Sequence, residues 1–194
     1  MRKTIVSLLL ACVLLAVSLS ALSEAAVAYE PLNFGDFSMA IDPDMAYTGL
    51  EDKKENEVWF TLYPAYNAIG DSSTNFNVVW QSQRMSISSY KDSDSEAYIT
   101  SLKNSIVSQY ESFGFTVKSF TVPSIQLQDL NGKPSLAYVM ITEIESMGVS
   151  QTIYQLQASV SDTFGTYSFT GSATSIDLLE TYVGPLFDAI SWND

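Results

Sequence analysis

Between residues 165 and 173 two kinds of side chain alternate. Thr166, Ser168, Thr170 and Ser172 carry hydroxyls, while Gly165, Tyr167, Phe169, Gly171 and Ala173 are aromatic or small. A period of two marks a strand whose successive side chains leave opposite faces, so one face is built for a core and the other is lined with hydroxyls. The design recurs in two other places. In 75–83, Phe76, Val78 and Trp80 oppose Asn75, Asn77, Val79, Gln81 and Gln83. In 151–160, Thr152, Tyr154, Leu156, Ala158 and Val160 oppose Gln151, Ile153, Gln155, Gln157 and Ser159.

Further strands are predicted at 37–42, 58–63, 115–122, 125–130 and 136–145. The alternation slips by one at Lys118-Ser119, which predicts a bulge. Asn131-Gly132-Lys133-Pro134 is the strongest hairpin turn in the chain, and 136–145 is apolar on nearly both faces, as a central strand would be. Turns are expected at Asp42-Pro43-Asp44 and 67–74, and a charged loop or hairpin tip at 51–57.

Two stretches change period. Ser93 and Glu96 make a capping box, after which Ile99, Leu102, Ile106, Tyr110 and Phe113 step by three or four and Gly114 ends the helix. Thr174 and Asp177 make a second box ahead of Leu179, Tyr182, Leu186 and Ile190, with a kink or break expected near Gly184 because Pro185 removes a helical hydrogen bond. Consecutive strands joined by short turns are largely antiparallel, and amphipathic helices need a sheet to cover. The expected fold class is therefore α+β: an antiparallel β-sheet of about six to seven strands packed with two main helices.

The first residues are of another kind. Arg2 and Lys3 precede an apolar or small run from Thr4 to Leu22, and small residues crowd the exit through Ala28 with no basic stop-transfer cluster. That anatomy predicts a secretory signal over 1–28, cleaved after Ala28, and one domain over 29–194 in the secreted or extracytoplasmic space. Cys12 ends a lipobox-like Leu9-Leu10-Ala11-Cys12, but the apolar run continues through Val13 to Leu22, which makes it an ordinary residue of the signal core.

Composition narrows the chemistry. The chain has no histidine and only one cysteine, so Ser-His-Asp and Cys-His catalysis and His- or Cys-ligated zinc and copper are excluded. Carboxylate pairs, Tyr or Ser-Lys nucleophiles and oxygen-ligated cations remain. A formal net charge of −13 repels phosphate backbones and makes nucleic acid a poor partner. Asp92-Ser93-Asp94-Ser95-Glu96 opens like a calcium loop, but Ala97 and Lys103 occupy the places where that loop needs glycine and glutamate. It reads as a helix entrance. Asp42 and Asp44 read as a turn, and Glu143 and Glu145, two apart on one strand face, as a solvent-facing strand end. No metal or cofactor is expected.

The amide and hydroxyl face is the unusual feature. Its candidate binding residues are Gln155, Gln157, Thr166, Ser168 and Thr170. Their side chains offer donors and acceptors without a charge to desolvate, which suits either a sheet facing water or a docking face for protein or glycan.

The order of elements, with Phe37–Met45 (FSMAIDPDM), Asn75–Trp80 (NFNVVW), Asn131–Ala137 (NGKPSLA), Thr166–Thr174 and Phe187–Trp192 (FDAISW), resembles the PsbP-like family. That family includes the extrinsic PsbP subunit of photosystem II, the Mog proteins and DcrB-like bacterial envelope proteins. The resemblance covers 29–194 and implies an α/β sandwich on an antiparallel sheet, with a non-catalytic role in binding or assembling an extracytoplasmic protein. It assigns no binding residue. Two other functions stay open: a carrier of a small apolar or lipid-like ligand, which a cavity between helix and sheet would favour, and a carboxylate-dependent hydrolase, which two facing carboxylates in a cleft would favour.

Overall fold

The computed structural model describes residues 31–42, 45–48, 57–91 and 94–193. The expected signal segment, Cys12, Pro43, Asp44, most of the charged loop, Asp92 and the Ser93 half of the first capping box lie outside them. In chain order the elements are β1 (Leu32–Asn33), β2 (Phe37–Met39), β3 (Ala46–Thr48), β4 (Glu57–Tyr63), α1 (Tyr66–Ile69), β5 (Asn75–Gln81), a 3-10 turn (Ile87–Ser89) and α2 (Ser95–Ser112). There follow β6 (Thr116–Thr121), β7 (Ile125–Leu130), β8 (Lys133–Ser146), β9 (Val149–Ser161) and β10 (Thr166–Ala173). A helical corner of three pieces, α3 (Ile176–Leu178), a π turn (Leu179–Val183) and α4 (Gly184–Asp188), leads to β11 (Ile190–Trp192).

The α+β class holds, with an antiparallel eight-stranded sheet in the order β3-β4-β5-β10-β9-β8-β6, in which β7 also pairs with β8. Strand β8 is long enough to take two neighbours on one side: β7 along Lys133–Tyr138 and β6 along Ile141–Glu145. A second, three-stranded sheet, β1-β2-β11, was not foreseen. Of its strands only β2 falls within an expected one, that at 37–42; β1 and β11 are two and three residues long, too short for periodicity to declare them.

One face of the large sheet carries the core. Phe76, Val78, Tyr167, Phe169, Ala158 and Val160 are all buried there, as the alternation requires. The small sheet and the helical corner close over them. Phe37 meets Phe169 edge to face at 5.3 Å, Trp192 meets Phe169 at 5.8 Å, and Phe187 meets Phe76 at 5.1 Å. Polar ends are satisfied at the rim: the Tyr167 hydroxyl donates to Asp36, and Trp192 Nε1 donates to the Leu130 carbonyl at 2.9 Å. Gly171 marks where the helical corner presses onto the sheet, since a Cβ there would lie 2.0 Å from Val183 Cγ1.

Local sequence accounts for the joints. Asn131 and Gly132 both take positive φ between Leu130 and Lys133, the two-residue hairpin that the dipeptide favours, and the β6 register shifts between Val117 and Ser119 at the expected bulge. Helix α2 ends as the glycine foretold: Gly114 is left-handed, its N–H reaches the Glu111 carbonyl, the Phe115 N–H reaches that of Tyr110, and the Tyr110 and Phe115 rings meet.

Four expectations need correction. Phe113 does not continue the apolar stripe of α2; the helix has already ended and its ring is 71% exposed. The second helix is capped by Ser175, whose side chain accepts from the Leu178 N–H, and not by Thr174. Its buried positions are Leu179, Val183, Leu186 and Phe187, while Tyr182 is only half-buried. The break expected near Gly184 is there: a π turn ends at Val183, inserts extra rotation before Pro185 and re-phases the stripe. Ile190 is buried, but from strand β11.

Candidate functional site

The face opposite the core is divided. On β8 it is closed and, Thr142 apart, apolar: Leu136, Tyr138, Met140 and Ile144 are buried, and α2 lies over this flank, with the Tyr98 ring against Tyr138 at 5.7 Å. Helix α2 covers it shallowly, for no residue of the helix is fully buried and Ile99, Leu102 and Ile106 are half-buried. Across β9, β10 and β5 the same face turns to hydroxyls and amides. Registers set Asn77, Thr170, Gln157 and Tyr138 in one cross-strand row, with Val79, Ser168, Ser159 and Leu136 in the next on that face.

The five expected site residues share this face and differ in what they do. Thr166 is buried, 3% exposed, and fully engaged: its hydroxyl meets the Met85 N–H and the Gln83 carbonyl, each at 2.9 Å, and the Ser161 hydroxyl at 3.0 Å. Ser161 bonds both the N–H and the carbonyl of Met85. These two hydroxyls clamp the segment after β5 onto the sheet. The expectation of an open face is therefore corrected at Thr166, because a backbone segment already occupies its hydrogen-bonding capacity.

The other four are half-buried. Ser168 faces Ser159 with hydroxyl oxygens 3.4 Å apart, and Gln155 Nε2 donates to Ser172 at 3.1 Å. Gln157 lies opposite Tyr138 on the neighbouring strand, and the Tyr138 hydroxyl accepts from Tyr98 at 3.4 Å. Thr170 lies between Asn77 and Gln157. Ser168, Thr170, Gln155, Gln157 and Asn77 thus form a strip of uncharged donors and acceptors, bordered on the α2 side by tyrosines. Burial pushes the Tyr98 phenol above its ordinary value, and burial followed by the neighbouring Tyr98 pushes that of Tyr138 higher still. Both stay neutral near pH 7, so the strip presents hydrogen bonds and no charge.

Sequence reasoning missed Tyr98 and Tyr138. Tyr138 sits inside an apolar run and looks like core; the available signal is its hydroxyl, which a strand buried on both faces has to satisfy.

Among the described residues the carboxylates form no cluster. Glu145 pairs with Lys118 at 3.2 Å, and Glu143 accepts from Ser119 at 3.4 Å, each at the end of the sheet with its own partner. A recess lined by Ser124, Gln126, Ala137, Tyr138, Val139 and Leu156 lies at the β7–β8 seam, and it has no room for a water molecule. Among the described residues no helix is long and apolar enough to cross a membrane.

No protein-family model and no curated protein matches the chain. Among solved structures, the fold matches the solution structure of cyanobacterial PsbP (CyanoP) from Synechocystis sp. PCC 6803 with a TM-score of 0.52. The two are 11% identical, and the match covers 91% of this chain and 99% of that one. The chain has the PsbP-like fold.

Proposed function

We propose that this protein is an exported, non-catalytic module that binds or helps assemble another extracytoplasmic protein, which it docks on the polar strip of the large sheet. The observation that carries the reading is the half-buried strip of Ser168, Thr170, Gln155 and Gln157, bordered by Tyr138 with Tyr98 upon it. A partner gains several hydrogen bonds there and desolvates no charge, while the half-buried Tyr98 adds the amphipathic contact area that interface cores favour. The likeness in fold to a cyanobacterial PsbP agrees with a binding role, and the apolar run of residues 4–22 supports export. Thr166 belongs to the scaffold of this site and not to its contact surface.

The test is affinity capture from the exporting cell's envelope, followed by mass spectrometry. Ser168→Arg with Thr170→Arg places two bulky charges on the strip and leaves the Thr166 clamp and the Gln155–Ser172 bond in place. A partner retained by the wild type should be lost from this variant at an unchanged melting temperature. Retention of the same partner would move the contact surface off the strip, and co-purified lipid in place of protein would favour the carrier.

A further inference from the structure

Sheet edges are liabilities because they expose unpaired backbone N–H and C=O groups, and most edges here are blunted in recognisable ways. Strand β6 has a register shift and Lys118, β7 carries Asp129, and β1, β3 and β11 are at most three residues long. One stretch has none of these devices. Strand β9 pairs with β8 along its length from Val149, but β10 reaches it only from Tyr154 onward, since the chain leaves the sheet at Ala173 to enter the Ser175-capped helix. Val149–Ile153 therefore has a strand on one side alone among the described residues. Its sequence, VSQTI, has no charge, no proline and no bulge; Val149 is 70% exposed, and Ser150 and Gln151 are exposed as well.

The order of chemistry in this segment is palindromic: apolar, hydroxyl, amide, hydroxyl, apolar. Set antiparallel against itself with Gln151 on a two-fold axis, it matches like with like. Val149 faces Ile153 of the second copy on one sheet face, Ser150 faces Thr152 on the other, and the two Gln151 amides face each other. The open slot is bounded by the Met147-Gly148 turn at one end and by Ala173 beside Tyr154 at the other, so the same five residues of a second copy fill it. The pairing also gives a use to Met147, which is 101% exposed at positive φ on the hairpin tip, by carrying it to the end of β10 in the second copy.

Charge favours this occupant too. A chain with net charge −13 repels its copies over most of its surface, and an uncharged edge is where they can approach. Glu143 and Glu145 lie one strand back on β8. Across the pair, Glu143 and Glu145 of the second copy stand about 14 Å apart, three strand spacings, which exceeds the screening length in physiological salt.

From this we infer that the protein forms a two-fold dimer by antiparallel pairing of the Val149–Ile153 edge, joining two large sheets into one. The contact is small, which places it among weak, concentration-dependent associations.

Sedimentation equilibrium on the protein as released by the exporting cell should show a monomer–dimer equilibrium. Gln151→Glu and Gln151→Lys each place two like charges face to face on the axis and should each weaken the dimer by about five-fold or more. An equimolar mixture of the two variants should recover it, because opposite charges then meet. Gln151 is exposed, so neither variant should alter the melting temperature measured in dilute solution. A wild type that stays monomeric at every concentration overturns the proposal. So does a dimer that both variants leave intact, or a mixture that fails to recover what the separate variants lose.

Discussion

The two faces of the large sheet are made by alternate residues of the same strands, yet they are closed by different means. On the core face, Phe169, Tyr167, Phe76 and Val78 are buried beneath a second sheet and a helical corner, and ring against ring fills the space. On the other, α2 covers only the β8 flank, where the side chains are apolar but for Thr142, and the hydroxyl flank is held by hydrogen bonds to itself and to a passing backbone segment. Polar does not mean wet. Ser159 is 0% exposed, and Thr166 and Ser172 are nearly as closed, because hydroxyls can be buried where each finds a partner.

The contrast is broken most sharply by Phe169→Ala. That substitution opens a void where Phe37, Phe76 and Trp192 converge and should cost about 3–5 kcal/mol in chemical denaturation. On the opposite face Thr166→Val keeps the shape but takes the Thr166 hydroxyl from the Gln83 carbonyl and leaves the Met85 N–H with Ser161 alone, at 3.2 Å. The expected loss is about 1–3 kcal/mol, with faster amide exchange at Met85 if the clamp is released. Thr142→Val should act in the other direction. Thr142 is 0% exposed, and among the described residues its hydroxyl oxygen has no hydrogen-bond partner, so an apolar isostere should raise stability by about 1 kcal/mol. A loss there would point to a buried water bonded to the hydroxyl.

Most of this architecture was legible because the strands alternate cleanly. The split of Tyr167 and Phe169 from Thr166, Ser168 and Thr170, the bulge at Val117–Ser119, the Asn131-Gly132 turn and the Gly114 cap each follow from a local rule that the tertiary structure leaves alone. Elements fixed by long-range contact were not legible. Strand β2 fell inside the strand expected over 37–42, but its place in a separate sheet did not show, and β1 and β11 stayed hidden because Trp192 packs against Phe37 and Phe169 from far along the chain and two or three residues carry no periodicity. The π turn is hidden in the same way, since its effect is visible only in which side of the corner, Tyr182 or Val183, meets Gly171. For the candidate site the alternation placed Gln155, Gln157, Thr166, Ser168 and Thr170 on one face. It did not separate Thr166, consumed by Met85 and Gln83, from the four that remain available, because that depends on where the segment after β5 returns.

The smallest expected effect makes the finest distinction. Ser168 is the neighbour of Thr166 along the same face, one alternation further into the sheet, and it bonds only Ser159, with the oxygens 3.4 Å apart. Hydroxyl pairs at that separation are well beyond the optimum and contribute little, and the half-buried Ser168 side chain loses little solvation when truncated. Ser168→Ala should therefore shift the unfolding free energy by about 0.5 kcal/mol or less, as surface substitutions do. Measured beside Thr166→Val, it separates a hydroxyl that is part of the scaffold from one held ready for a partner. A loss for Ser168→Ala equal to that for Thr166→Val would mean that the hydroxyl flank is a closed polar core throughout, and the docking strip would then have to be sought elsewhere.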